Sequence, residues 1–452
     1  MVLSRGRNAL LLGSGFVATP TVDVLDKAGI KVTIACRTLE KAKKMAEGFK
    51  NASAIALDVN DEAALDSAVS QHDVTISLIP YTFHAQIIKA GIKAKKNVVT
   101  TSYVSPAMME LDAEAKEAGI TVMNEIGLDP GLDHLYAVKT IDEVHKAGGR
   151  VTSFISYCGG LPAAECSDNP LGYKFSWSSR GVLLAAKNNA KFYKDGKIEE
   201  VSGEELMGVA KPYHTGYQGY ALVAYPNRDS TPYRQRYAIP EANTIIRGTL
   251  RYAGNPEFVK VLVDMGFFSD VETDYLKGDG NLTWKEFTAK LLGSGSNAHD
   301  DLVWAISSKS KFADTAEKNR IIEGLSWIGV FSDELVNKKG NPLDTLCAVL
   351  EKKMAYEEGE RDLVILQHRF EIENQDGSKE TRTSTLVENG DPKGYSAMAK
   401  LVGIPCGVAV LHVLDGKIKE KGILAPMDAE LNKPIMDELK EKYGIFLVEK
   451  TL

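Results

Sequence analysis

Apolar and polar positions along the chain fall into two rhythms that take turns. Short apolar runs occupy residues 9–12, 31–35, 52–57, 73–79, 97–101 and 120–124. Between them, residues 17–28, 39–49, 83–95 and 111–118 space their apolar side chains at helical intervals, with Gly29 and Gly119 closing two of these segments. Six strands alternating with helices over about 125 residues predict an α/β fold. The expected architecture is a Rossmann-type, doubly wound parallel sheet with its ligand at the carboxyl ends of the strands.

Beyond residue 124 the rhythm changes. Residues 125–134 are rich in turn formers and follow a strand directly, which is where a domain boundary is expected. Strand-like runs recur at 151–157, 221–225, 244–252 and 362–372, and helical patterns at 256–265, 284–292, 315–328 and 343–354. These predict a mixed α/β domain over 131–254 and 357–391, interrupted by a helical insertion at 255–356. Residues 392–413 return to a helical pattern containing Gly403 and Gly407, so 392–452 is expected to pack back on the first domain, residues 1–130.

Composition narrows the function classes. The chain has 452 residues, 44% apolar and 25% charged, with a net charge of −7. That balance is ordinary for a globular protein and lacks the basic footprint of a nucleic-acid or anionic-membrane binder. No apolar run in the sequence reaches the roughly 20 residues that span a bilayer. Arg5 and Arg7 before an apolar run imitate a signal peptide, but the run breaks into glycines and reads as strand one. The five cysteines, at 36, 158, 166, 347 and 406, form no C-x-x-C pair and indicate neither a disulfide framework nor a metal site. A reducing, cytoplasmic setting is the expectation.

The chemistry starts at the end of strand one. Gly13-x-Gly15-x-x-Ala18 has the spacing of a dinucleotide fingerprint. Gly13 allows the sharp turn, Gly15 lets a pyrophosphate approach the backbone, and Ala18 keeps the helix close to the sheet. The N–H groups of the first helical turn then face the phosphates. Cys36-Arg37-Thr38 ends strand two, where an acid would select NAD. Arg37 instead suits the 2′-phosphate of NADP and can stack on the adenine, with Thr38 and Lys41 or Lys43 in support. Asp58, beside Val59, meets the adenine amino group or caps the next helix from Asp61. Ser77-Leu78-Ile79 ends strand four near the expected nicotinamide ribose, and His84 reads as a solvated or capping histidine rather than a catalytic one.

Four stretches carry a resemblance: Gly13 to Pro20, Thr101 to Ser105, the run GLDPGLDH at 127–134 within 125–134, and 156–162. Together with 169–178 they resemble the fungal saccharopine reductases, the NADP-dependent, L-glutamate-forming saccharopine dehydrogenases, essentially from end to end. The resemblance implies condensation of L-glutamate with 2-aminoadipate 6-semialdehyde to an imine, which NADPH reduces to L-saccharopine in lysine biosynthesis by the aminoadipate pathway. It also implies a homodimer built through the second domain.

Such a product carries several carboxylates, so its site calls for guanidinium groups. Arg228 is the best carboxylate clamp by its loop setting, with Arg247 and Arg251 as further candidates. Substrate is expected at Ser102, Tyr103, Asp129, Phe175, Trp177, Arg228, Thr249 and Arg251. The coenzyme is expected at Gly13, Ser14, Gly15, Phe16, Val17, Cys36, Arg37, Thr38, Asp58, Val59, Ser77, Leu78, Ile79, Ser102, Leu128 and Asp129. Asp129 is the expected general base or iminium stabiliser, Tyr103 the proton donor or orienting group, and Cys158 a weaker candidate. Two other readings stay open: a related oxidoreductase making carboxylated polyamines, and a catalytically silent NADP-binding scaffold.

Overall fold

Ala9 to Leu12 are buried in unbroken succession, as suits a short strand covered on both faces. They form β1 (Asn8–Leu12), an inner strand of a seven-stranded parallel sheet in the computed structural model. The structure describes residues 7–278 and 280–452, so Arg5 lies outside the described residues. β1 pairs with β2 (Lys31–Cys36) on one side and β4 (Val74–Ser77) on the other. β3 (Ala52–Ala56) extends the first side, and β5 (Asn97–Thr100) and β6 (Thr121–Met123) the second. The order 6-5-4-1-2-3 reverses at β1, and the crevice above that reversal is where a doubly wound sheet receives a dinucleotide.

A seventh strand, Gly422–Leu424, adds in parallel to β6. The crossover helices include α1 (Thr19–Lys27), α2 (Leu39–Ala46), α3 (Glu62–Ser70) and α4 (His84–Ala94).

The chain divides into two units, the first comprising residues 1–150, 373–380 and 394–452. Helix Leu132–Lys146 therefore belongs with the first unit, past the boundary expected at residue 130. Its buried face, including Leu135, Val138 and Ile141, packs there, and the turns at 125–134 are internal to the unit rather than a linker. Helix Ala397–Leu414 belongs to the same unit. With a mean hydropathy of 1.8 it is long and apolar enough, by length and composition alone, to cross a membrane, yet 72% of it is buried in the structure. A helix apolar on all sides needs a fully protein-lined slot. Gly403 and Gly407 provide it by close approach to α1: a Cβ on Gly407 would sit 2.8 Å from the Cβ of Val24.

The second unit, residues 151–372 and 381–393, holds a mixed sheet. β7 (Arg150–Pro162), β8 (Ala190–Lys194), β9 (Lys197–Val201), β10 (Lys211–Pro212), β11 (Leu222–Pro226), β12 (Thr244–Tyr252), β13 (Asp362–Glu373) and β14 (Lys379–Asn389) run in the order 10-11-12-7-13-14. The hairpin β8–β9 pairs with β12 through β8. β12 is parallel to β7 and antiparallel to β11.

Among the described residues, five α-helices lie in the 255–356 stretch: Asn255–Asp264, Trp284–Leu292, His299–Lys309, Thr315–Ile328 and Pro342–Lys353. They share a core with Phe258, Phe267, Phe287, Leu325 and Leu346, where Phe267 and Phe287 meet edge to face at 5.6 Å.

Candidate functional site

The turn after β1 is shaped to admit an anion. Gly13 adopts φ +113°, and a Cβ there would lie 3.0 Å from the Leu78 carbonyl oxygen, so the turn closes only around glycine. Gly15 is exposed and a Cβ on it would meet open space. Among the described residues, the N–H groups of Gly15, Phe16 and Val17 meet no backbone carbonyl. α1 itself has no side-chain cap and no acid in its first turn. Donors without acceptors at the positive end of a nine-residue helix fit a bound pyrophosphate. Ser14 and Phe16 flank the opening, and Phe16 is 70% exposed. The residues present therefore fit a dinucleotide.

Neighbouring strand ends carry the other expected coenzyme residues. Arg37 and Thr38 are exposed at the end of β2, and the Cys36 thiol donates to the Thr38 carbonyl (2.9 Å). Lys43 of α2 pairs with Glu40. Asp58, after β3, does not cap α3; Asp61 does, accepting from the Ala64 N–H. Asp58 instead accepts from the N–H (3.0 Å) and side-chain amide (2.9 Å) of Asn60. The Asn60 N–H is the main reason its carboxyl titrates below the usual range, with Arg37 adding attraction. Val59 and Leu128 are buried beneath these loops. Leu78 donates to Leu12 and, with Ile79, walls the Gly13 turn.

His84 is not solvated, contrary to the sequence reading. It is fully buried, with Nδ1 2.9 Å from the Ser77 hydroxyl and Nε2 2.8 Å from the Ser102 hydroxyl. Burial pushes its pKa down to about 4, so the neutral ring donates through one nitrogen and accepts through the other. It ties the end of β4 to the end of β5. The signal was a polar residue at a helix start; its partners lie 7 and 18 residues away and no local pattern links them.

Tyr103 and Asp129 come together as a pair: the phenol donates to the Asp129 carboxylate at 2.6 Å. Asp129 is thus more than a turn-former before Pro130, to which it is joined by a cis peptide bond. Ser102 lies beside Tyr103, and both are half-buried at the carboxyl edge of the sheet. A half-buried carboxylate joined to a phenol can take, give or hold a proton, and can stabilise a developing cation.

The second unit gathers its own candidates. Arg247, Thr249 and Arg251 alternate along β12 and so share one face. Across the sheet Thr249 is flanked by Cys158 of β7 and Tyr225 of β11, which face the same way. The Arg251 guanidinium is half-buried over the Tyr173 ring (4.8 Å). It donates to the Leu250 carbonyl, and no carboxylate among the described residues pairs with it. Arg247 is buried over the Tyr233 ring (4.2 Å).

Arg228 is exposed in the turn after β11, at φ +56°, and the next-door Asn227 N–H donates to the Arg247 carbonyl. Left-handed backbone at a non-glycine residue is uncommon and clusters at binding sites. Phe175 is buried edge to face with Tyr173 and lines a small cavity with Arg251, while Trp177 packs partly buried against the same core. Cationic and aromatic groups arranged this way are suited to holding carboxylates.

Comparison with known proteins identifies the family. Residues 9–123 match the saccharopine dehydrogenase NADP binding domain, and residues 127–445 the saccharopine dehydrogenase C-terminal domain. The chain is 64% identical over 449 residues to the saccharopine dehydrogenase [NADP(+), L-glutamate-forming] of Pyricularia oryzae, covering 99% of both chains. It is 58% identical to the Saccharomyces cerevisiae enzyme of the same name, covering 99% of this chain and 100% of the other. A solved apo structure of that yeast enzyme superposes with a TM-score of 0.91 over 99% of this chain and all of the other. With both domains matched and identity held from end to end, the chain belongs to the saccharopine dehydrogenase family.

Proposed function

We propose that the chain is a saccharopine reductase: it condenses L-glutamate with 2-aminoadipate 6-semialdehyde and reduces the imine to L-saccharopine, reversibly, in lysine biosynthesis. The observation that carries this reading is the 64% identity over the full length to an enzyme of that name, with the dinucleotide turn intact at Gly13, Gly15 and Ala18. Condensation forms a C=N bond and releases water; reduction adds a hydride to carbon and a proton to nitrogen. NADPH supplies that hydride when bound. The Gly15–Val17 N–H groups would hold its pyrophosphate and Arg37 its 2′-phosphate. Asp129 takes protons from the condensing amine and steadies the cationic imine, with Tyr103 fixing its orientation. Arg228, Thr249 and Arg251 bind substrate carboxylates.

The test is saccharopine-dependent reduction of NADP⁺ by the purified protein, with NAD⁺ as control. Turnover with NADP⁺ is expected. Turnover that demands a diamine, or NADPH binding with no turnover, would support the polyamine or scaffold readings instead. A homodimer is part of the proposal, checked by light scattering against the 49.2 kDa chain mass.

A further inference from the structure

Three ionisable side chains beneath the Tyr103–Asp129 pair take no part in the chemistry above. Glu125, Asp133 and His134 are fully buried. Glu125 follows β6 in the left-handed region (φ +56°). One of its carboxylate oxygens accepts from the Val104 N–H (2.9 Å), and the other lies 2.8 Å from His134 Nε2. His134 Nδ1 lies 3.3 Å from Asp133, whose other oxygen accepts from the Gly131 N–H (2.6 Å).

The contacts run in one line from Val104 to Gly131. Val104 adjoins Tyr103, and Gly131 is two residues from Asp129. The Tyr103–Asp129 hydrogen bond closes the line into a ring. Removing such groups from water is costly, and well-packed apolar residues often stabilise a core as well or better. A structural role alone leaves that arrangement without a reason; holding two loops in fixed register supplies one.

We propose that Glu125, His134 and Asp133 are positioning residues: a buried brace that fixes where the Tyr103 hydroxyl meets Asp129. The proposal rests on the reading of Tyr103 and Asp129 given above. The His134 ring spans the gap between Glu125 and Asp133 with one nitrogen toward each; an asparagine there is shorter and has both its N–H donors on one nitrogen, so it cannot reach both carboxylates and lets the loops slide. Misplacement of a reacting group by about 1 Å costs roughly 100-fold in rate.

The experiment is a double-mutant cycle on the full chain with His134→Asn and Tyr103→Phe, reading kcat for saccharopine oxidation and the NADPH dissociation constant. His134→Asn should lower kcat roughly 10- to 100-fold. NADPH affinity should change by less than about threefold. Adding Tyr103→Phe should cost little more, because the pair is already out of register. Asp133→Asn keeps an acceptor for the Gly131 N–H and should recover part of the loss; it also replaces His134→Asn in the cycle should that variant not fold.

Additive losses, or an unchanged kcat in both brace variants, overturn the brace. An unchanged kcat in Tyr103→Phe alone overturns the underlying reading of the pair, and the brace with it.

Discussion

A methyl group at Gly403 tests how the apolar helix Ala397–Leu414 supports the nucleotide turn. A Cβ there would stand 2.6 Å from the Val17 carbonyl oxygen and 3.0 Å from the Cβ of Pro20, where ordinary contact begins near 3.4 Å. The obstacle is backbone, so helix and turn must part by several tenths of an ångström. Overpacking of this kind costs about 1–3 kcal/mol, and a rigid neighbour argues for the upper half. Alanine returns about 1 kcal/mol of helix propensity. Gly403→Ala should therefore destabilise by about 1–2 kcal/mol, or roughly 2–8 °C in Tm for a unit of this size. Val17 belongs to the anion cradle, so NADPH binding, followed by fluorescence titration, should weaken as well.

Gly407→Ala is the control. Its Cβ meets Val24, within α1 and away from the cradle, so it should lose stability with little change in NADPH affinity. Equal melting and binding in Gly403→Ala and the parent chain would refute the packing argument. Equal loss of NADPH affinity in both variants would refute the route through Val17.

Further predictions follow from the strand ends and the second unit. Arg37→Ala should weaken NADPH much more than NADH, by roughly 10- to 150-fold if a charged hydrogen bond of about 1.5–3 kcal/mol is lost; equal losses would remove Arg37 from 2′-phosphate recognition. Arg251→Ala and Arg228→Ala should each raise the KM for saccharopine by a similar factor with kcat less affected, and Arg251→Lys should not restore it, because a point charge lacks the planar fork. Unchanged KM in either would place the carboxylate elsewhere. His84 takes up its proton near pH 6.5 when unfolded and only near 4 when folded. Its contribution to stability is whole above pH 6.5 and is lost as the pH falls toward 4, approaching about 3 kcal/mol at 1.36 kcal/mol per unit. Urea unfolding from pH 7 to pH 4 should fall less steeply for His84→Gln than for the parent; identical slopes would contradict this.

Much of the first unit was legible because its signals are local. Ala9 to Leu12 are apolar without interruption, and the turn that follows closes only around Gly13. Helices Trp284–Leu292 and Thr315–Ile328 fall where their patterns predict, each opened by a cap, Thr283 with Glu286 and Asp314 with the Glu317 N–H. Strand Thr244–Tyr252 was equally clear.

What escaped was set by partners distant in sequence. Gly422–Leu424 is three residues long and becomes a strand only because β6 offers it an edge. The burial of His84 depends on Ser77 and Ser102, and the contact of Glu125 with His134 spans nine positions of turn-rich chain. Neither leaves a period or a spacing to read.

The first unit is built from stretches far apart in the sequence, chiefly 7–150 and 394–452, with residues 151–372 between them. On the ribosome, the sheet around β1 emerges early but lacks the helix that fills its slot against α1 and the strand that covers its β6 edge. At about 5–20 residues per second, the wait for residues 394–452 lasts on the order of ten to fifty seconds. Through that interval the nascent layer presents an open apolar groove beside α1 and a bare edge on β6, the two surfaces that residues 394–452 later cover.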